Sequence, residues 1–210
     1  MSNYKLIPTE TFNTLQTDAG VLVEDFDLEN ATVAESDVLC ATTGGINFTD
    51  TPTYTDYGED IDNCPTNMLE LKRIDSHEVK MSGTALTLTE DFAVKLIGAV
   101  DTASASKGNS TKLTPRNSLD KNKDFKDLWW VGDYGDGGYL AIHLMNALNT
   151  SGFALQTTNK GKGQLAFEFT GHYTMESQDT VPYEIYMCDG DTKKVTSGTT
   201  SSTSTGTKTN

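Results

Sequence analysis

The chain is poor in the residues that most enzymes use for chemistry. It holds three histidines and three cysteines, Cys40, Cys64 and Cys188. The cysteines are odd in number, widely spaced and without a CxxC pair, so they predict neither a disulfide framework nor a zinc site. We therefore expect reduced thiols in a protein made in the cytosol.

Long apolar runs are also missing. No apolar segment approaches the roughly 20 residues that a membrane helix needs. The opening sequence MSNYKLIPTETF has no apolar stretch typical of a signal peptide. We expect no membrane partner for this chain.

Basic residues are almost absent from the first third of the chain. Residues 1–70 hold 14 acids and one base, Lys5, whereas residues 71–210 hold 16 acids and 15 bases. A segment as acidic as residues 1–70 does not bind nucleic acid by neutralising its phosphates. The net charge of −14 favours either simple solubility or a surface that DNA passes without sticking.

No combination of residues in the sequence predicts catalysis. His77, His143 and His172 lack a sequence neighbour that would serve as an oriented nucleophile or metal partner. The acidic segments 56–62 and 133–136 do not follow the ligand order of a calcium loop, and residues 189–191 are too short for one. P-loop, GxGxxG and HExxH motifs are absent. We therefore predict no catalytic, cofactor-binding or metal-binding residue, no cofactor, and a protein that is not an enzyme.

The composition favours a β protein with many turns. Apolar residues make up 36% of the chain, and Gly, Ser, Thr, Asn and Asp are abundant. We divide the chain into an N-terminal arm (residues 1–20), a β domain (21–188) and a flexible tail rich in Ser, Thr and Gly (189–210).

Alternation of apolar and polar residues predicts most of the strands. After Gly83 the apolar positions change phase, which predicts a β-bulge or bend. Residues 27–70 are expected to be rich in loops, and residues 101–120 to form a long polar loop with a short strand at 112–116. The predicted strands are 21–26, 76–88, 126–131, 139–148, 153–157, 163–175 and 181–187. For residues 139–148 a helix stays open as an alternative, since periodicity alone does not exclude it.

One helix is predicted over residues 89–100. Thr87 or Thr89 can cap it, and acids follow in the first turn. Phe92, Leu96 and Val100 fall on one stripe at helical spacing. We expect this helix to pack across one side of a sheet.

Aromatic residues cluster near the predicted turns. Trp129 and Trp130 are adjacent on a strand, so one should face the core and the other the opposite face or an interface. Tyr54, Tyr57 and Tyr134 lie close to turns and leave open a surface that binds carbohydrate.

Several segments together resemble the major tail proteins of siphophages that infect Gram-positive hosts, which form the tail tube. Residues 11–27 resemble the start of those proteins, and residues 73–101 resemble their strand-then-helix segment. The similar segments occur in the family's order and span roughly residues 5–188. The later ones are LTPR, DFKDLWWVGDY, AIHLMNAL, KGKGQLAFEFTGHY and QDTVPYEIY.

The resemblance implies a β-sandwich or barrel-like tail-tube fold with a flanking helix. It implies that subunits, six to a ring, join their sheets around a lumen, and that rings stack into a tube through which genomic DNA passes without specific binding. The implied partners are other copies of the chain and the tape-measure, tail-tip and tail-terminator proteins. The implied location is the virion tail, after synthesis in the host cytoplasm. The N-terminal arm and residues 101–120 are the expected ring-to-ring contacts.

Two alternatives remain open at this point. The first is a tube protein of a contractile or bacteriocin-like particle, or of a prophage remnant. The second belongs to another class, a carbohydrate- or surface-binding β-sandwich module, which would stay monomeric.

Overall fold

The computed structural model describes residues 7–105, 108 and 110–190. Among these residues the protein is mostly β, with 49% of them in strands, antiparallel sheets and a single short helix. The predicted fold class, mostly β with one α-helix, is confirmed. Residues 1–6 of the predicted arm and residues 191–210 of the predicted tail lie outside the described residues, and the domain boundaries remain a prediction.

Nine strands form one antiparallel sheet in the order β2-β1-β7-β8-β10-β4-β3, with β11 beside β8 and β9 beside β10; β5 and β6 form a separate pair. The strands are β1 (Gln16–Val23), β2 (Val38–Cys40), β3 (Thr42–Asp56), β4 (Lys72–Ala85), β5 (Val100–Ser104), β6 (Thr111–Pro115), β7 (Lys126–Tyr134), β8 (Tyr139–Asn149), β9 (Ala154–Gln156), β10 (Gln164–Thr170) and β11 (Tyr183–Cys188).

The sheet folds over on itself and nearly closes. Strand β8 pairs with β7 and β11 through its first part and with β10 through Leu148 and Asn149 at its end. The two ends of the strand path, β2 and β3, are consecutive in the chain and separated only by Ala41. The result is a barrel-like sandwich whose two layers share one core.

The main core is built from strand residues of alternating parity. Val79 and Met81 of β4 and Phe167 and Phe169 of β10 are almost fully buried. The core also includes Leu22, Leu39, Leu128, Trp130, Ile142 and Leu144.

A smaller cluster covers the opposite face of β1, β7 and β8. Phe26, from the segment that follows β1, packs on Trp129 and Tyr139 with ring centroids 5.9 and 5.3 Å apart. Trp130 lies in the main core and Trp129 in this second cluster, so the two indoles face opposite ways as predicted.

Helix α1 (Glu90–Ile97) is shorter than predicted. The Thr89 hydroxyl accepts from the Phe92 N–H at 3.2 Å, and the helix ends at Gly98, whose φ is +78°. Phe92 and Leu96 are buried in the main core as the stripe predicted, but Val100 already belongs to β5.

The prediction that residues 27–70 are rich in loops missed two strands in this range. These are β2 and the 15-residue strand β3. Gly44, Gly45 and Pro52 are residues typical of turns. Strand β3 tolerates them because it is an edge strand, which hydrogen-bonds to a neighbour on one side only and can hold such residues at a bulge or on its free side. The Thr- and Tyr-rich remainder suits a strand.

Three further predictions need correction. Strand β4 continues in register past Gly83 to Ala85, and the irregularity lies in β3, between Thr43 and Ile46. Residues 101–120 include a two-stranded ribbon, β5 paired with β6, so the suspected short strand is one half of a hairpin. Strand β1 starts at Gln16, inside the predicted arm.

Candidate assembly surfaces

Strand β3 has one free edge. It pairs with β4 through most of its length, and no second ladder partner occurs among the described residues. The Val79 carbonyl accepts from the Gly171 N–H at 3.0 Å, and the His77 N–H donates to the Tyr173 hydroxyl at 3.0 Å. These β4 groups therefore point away from β3.

The free edge of β3 has a defined length. Asp50 pairs with Val79 and Pro52 with His77. Because Val79 and His77 direct their backbone groups away from β3, both pairs are non-hydrogen-bonded pairs, in which the two residues direct their backbone groups away from each other. The backbone groups of Asp50 and Pro52 therefore face the free edge of β3. Pro52 removes a donor from that edge without breaking a bond of the β3–β4 ladder. Between the Gly44–Gly45 irregularity and Pro52, six residues (46–51) remain regular, with the N–H groups of alternate residues facing outward.

Strand β11 presents a second free edge. It has six residues and pairs only with β8 within the described part of the chain. The Met145 N–H donates to the Pro182 carbonyl at 2.9 Å, so the Pro182 carbonyl points towards β8. Successive residues of a strand point their backbone groups to opposite sides, so those of Ile185 and Met187 point to the free side. Their side chains are 44% and 71% exposed.

The hairpin of β3 and β4 projects beyond the rest of the sheet. Strand β10 pairs only with residues 80–85 of β4, whereas the β3–β4 ladder continues to the pair Asp56–Lys72. The hairpin ends in residues 57–71, here named the tip loop. The Asp56 carboxylate accepts from the N–H groups of Gly58 and Asn67 at 2.9 and 2.6 Å, and these hydrogen bonds lower the pKa of Asp56.

The tip loop combines exposed apolar side chains with unpaired acids. Tyr57, Ile61 and Leu69 are 55%, 52% and 87% exposed. The loop contains four acids and no base, and no ion pair of the described residues involves them: Glu59, Asp60, Asp62 and Glu70.

Arg116, which follows β6, helps to hold the β5–β6 ribbon against the body. Arg116 Nη2 donates to Asp124 Oδ1 at 2.7 Å, and only 4% of the Asp124 side chain is exposed. Arg116 Nε lies 3.0 Å from Asp101 Oδ1 but lacks the alignment of a hydrogen bond, so we describe that contact as an ion pair only. Val100 at the start of the ribbon is buried and Leu113 is half-buried, whereas the other ribbon residues are exposed. The Thr111 hydroxyl also donates to the Glu90 carboxylate of helix α1 at 2.9 Å.

The outer face of β3, β4 and β10 is rich in small polar residues and nearly neutral. Its one base, Lys80, lies 2.7 Å from Glu78 and 3.6 Å from Glu168, and the hydrogen bond to Glu78 is the main cause that raises the pKa of Lys80. Other residues of this face are Thr43, Asn47, Thr49, Thr51, Thr53, Ser76, Ser82, Thr84, Ala166 and Thr170. We name it the Thr-rich face.

The three histidines have partners that sequence proximity did not reveal. His77 Nδ1 lies 2.9 Å from Asp50 Oδ1, and the Tyr183 hydroxyl donates to Asp50 Oδ2 at 3.0 Å. Burial is the main cause that raises the pKa of Tyr183. Among the hydrogen bonds of the described residues, His77 and Asp50 meet the hydroxyls of Tyr173 and Tyr183 and no serine, threonine or cysteine side chain.

The other two histidines sit against aromatic rings. His143 stacks on Trp129 with centroids 4.1 Å apart and rings 6° from parallel, and its Nε2 lies 3.3 Å from Asp127. His172 lies edge-on to Phe125 and its Nδ1 is 3.1 Å from the Asn146 carbonyl. Both arrangements are packing contacts.

The acid-rich segments serve turns. Asp136 accepts from the N–H groups of Gly138 and Gly190 at 2.8 and 3.2 Å, which lowers its pKa. Across the described residues, no group of three or more His, Cys, Asp or Glu side chains could hold a metal ion.

Two of the cysteines have contrasting environments. Cys40 is buried, and burial raises the pKa of its thiol to about 12. Cys64 lies in the tip loop with its Sγ 3.3 Å from the Met68 sulfur. Neither is in a disulfide.

Within the described ranges, the helix is too short to cross a membrane. The chain matches no model of a known protein family, and no curated protein matches it.

Proposed function

We propose that this chain is the structural subunit of a bacteriophage tail tube, assembling into stacked rings around a DNA-conducting channel. The observation that supports it most is that the two longest free edges of the nine-stranded sheet, on β3 and on β11, each have six regular residues, whereas its other edge strands, β2 and β9, have three residues each. An exposed edge is a template for pairing with another chain. Two unlike edges on one chain allow a head-to-tail contact, and such contacts close into a ring when the rotation fits.

In this proposal, residues 46–51 of one subunit pair with β11 of the next. The backbone supplies the hydrogen bonds, and the exposed side chains of Ile185 and Met187 are covered by the neighbour. The Gly44–Gly45 irregularity and Pro52 limit the paired stretch and so fix its register. The resemblance to tail-tube proteins suggests six subunits to a ring.

The Thr-rich face is the proposed wall of the lumen. The opposite face of β1, β7 and β8 is covered by the Phe26 cluster, whereas the outer face of β3, β4 and β10 is bare. Two carboxylates neutralise Lys80, so this face offers no free base to bind phosphate. DNA could slide along such a wall without being held.

The arm and the β5–β6 ribbon stay as proposed contacts between rings. Ile7 and Phe12 are 69% and 68% exposed, and an isolated two-stranded ribbon gains stability from a partner. The tape-measure, tail-tip and tail-terminator proteins are the further proposed partners, and the virion tail is the proposed location.

The experiment is negative-stain microscopy of the purified protein at high concentration, with size-exclusion chromatography of the same sample. Rings or hollow tubes without a sheath support a tail tube. A sheath on native particles would instead favour the contractile alternative. A protein that stays monomeric even with co-expressed tail-tip proteins, and that binds a glycan through exposed tyrosines such as Tyr54 and Tyr57, would contradict the proposal.

A further inference from the structure

We infer that the tip loop of one subunit docks onto the β9 corner of a second copy, and that this contact holds successive rings together. The β9 corner is defined as residues 153–163. The inference deepens the proposed function and rests on it for the stacking of rings. It adds one axial contact to those proposed for the arm and the β5–β6 ribbon.

The two surfaces lie at opposite ends of one ladder. Strand β4 leaves the tip loop at Lys72 and ends at Ala85, which pairs with Leu165 of β10. Leu165 in turn pairs with Leu155 of β9. Since a strand rises about 3.4 Å per residue, the 14 residues of β4 separate the tip loop from the corner by roughly 45 Å. A contact between opposite ends of an elongated subunit repeats along an axis.

The charges of the two surfaces are complementary. The tip loop has four acids and no base, whereas residues 150–166 contain Lys160 and Lys162 and no acid. Both lysines are exposed, and no ion pair of the described residues involves either one. Lys72, the base next to the tip loop, is engaged within its own hairpin, because it lies 5.1 Å from the centre of the Tyr54 ring and donates to Asn67 at 3.1 Å.

Apolar groups are exposed on both surfaces as well. At the corner, Phe153 and Leu155 are 46% and 52% exposed and border a groove of about 500 Å³. A second groove, of about 340 Å³, adjoins it through Gln156 and Gln164 and reaches Lys162. Leu69 and Ile61 of the tip loop are side chains that such grooves could cover.

The tip loop has the internal hydrogen bonds of an ordered recognition element. Besides the two bonds to Asp56, the Tyr57 N–H donates to the Leu71 carbonyl at 3.1 Å and the Cys64 N–H to the Ile61 carbonyl at 3.1 Å. A compact loop packed by its own side chains presents its apolar groups at low entropic cost. Exposed apolar groups on an ordered projection mark a surface for a partner.

The test exchanges the charges of the two surfaces. One protein carries Asp60→Lys and Asp62→Lys, a second carries Lys160→Glu and Lys162→Glu, and a third carries all four changes. Glu29→Lys with Glu35→Lys is the control, since it alters net charge as much as the tip change does and lies on the segment that covers the opposite layer. Thermal unfolding checks that each protein is folded.

Self-association is measured by sedimentation velocity in two backgrounds, the natural chain and Ile185→Pro, which blocks lateral pairing. We expect each two-residue reversal to weaken axial association by about tenfold or more, because like charges then meet at the contact. An equimolar mixture of the two reversed proteins, and the protein with all four changes, should recover it. The control should associate like the unchanged chain.

Failure of the mixture to associate, or an equal loss in the control, would overturn the inference. Rings that stack normally despite the tip reversal would overturn it while leaving the tail-tube proposal intact. In a third outcome, the natural chain forms no rings, but the mixture still forms head-to-tail chains in the Ile185→Pro background. That outcome would support the contact between the tip loop and the β9 corner and contradict the tail-tube proposal.

Discussion

The side-chain amide of Asn149 donates to the carbonyl oxygen of Leu96 at 2.6 Å, joining the end of β8 to the last turn of helix α1. The same amide donates to the Gly152 carbonyl at 3.0 Å, and Oδ1 accepts from the Glu168 N–H at 3.0 Å. Asn149 is only 7% exposed. One buried side chain thus joins the helix, β8 and β10.

Replacing this amide should destabilise the fold. Asn149→Asp keeps the shape but sets a carboxylate against two carbonyl oxygens, and we expect a loss of about 3 kcal/mol in the free energy of unfolding. Urea denaturation measures it. Asn146→Asp is the control, because Asn146 Nδ2 makes a single bond, 3.2 Å long, to the His172 carbonyl. An equal loss in both variants would contradict a special role for Asn149.

A methyl group at Gly20 should be poorly tolerated. Gly20 has φ +66°, and an added Cβ would lie 2.6 Å from the Val131 carbonyl oxygen and 2.7 Å from the Trp130 ring. Gly137 has φ +86° with open space around it. Gly137→Ala should therefore lose only the conformational cost of about 1–2 kcal/mol, and Gly20→Ala clearly more. Similar melting temperatures for the two variants would show that β1 shifts freely.

Stability should fall at alkaline pH. Burial raises the pKa of the Cys40 thiol from 9.0 to about 12, so the folded state holds this proton more tightly than the unfolded state. The contribution is fully present below about pH 9 and is lost as pH rises towards 12. Tyr139 and Tyr183, whose pKa values are also raised chiefly by burial, act in the same direction.

The alkaline prediction is checked by urea denaturation at a series of pH values. Cys40→Ala should reduce the slope of stability against pH, whatever it does to the stability at neutral pH. An unchanged slope would mean that Cys40 does not contribute to it.

The lumen assignment predicts a pattern of chemical labelling in assembled tubes. Thr49→Cys lies on the Thr-rich face, and Glu29→Cys lies on the segment covering the opposite layer; both are made with Cys64→Ser and Cys188→Ser. A small maleimide should label both sites, whereas a maleimide joined to a large polymer should label only Glu29→Cys in tubes. Equal polymer labelling of both sites in tubes would place the Thr-rich face outside.

Much of the second half of the fold could be predicted from sequence. The alternation in β10 is regular because one of its faces meets the main core, and Thr89 marks the start of the helix with capping chemistry that is local. Strand β8 alternates less clearly, because one of its faces meets the main core and the other is covered by the Phe26 cluster. Strand β3 could not be predicted in this way, since its glycines and proline are tolerated only because one edge is free. That freedom is a property of the sheet and does not show in a local pattern.

The contacts of the proposed assembly surfaces were still harder to foresee. The partner of His77 is Asp50, far away in sequence, and only the strand register brings them together. The acidic composition of the stretch after β3 could be read from the sequence. Its place at the end of a projecting hairpin depends on β10 being shorter than β4.

Lateral pairing between the β3 and β11 edges can be tested by electron microscopy of Ile185→Pro beside Ile185→Ala. The Ile185 N–H points to the free side, so proline removes one donor from the edge but no bond of the β8–β11 ladder. Both variants lose the same apolar side chain. If the β3 and β11 edges pair, Ile185→Ala should form rings or tubes. Ile185→Pro should fold but should not associate laterally. Normal tubes from Ile185→Pro would contradict this pairing.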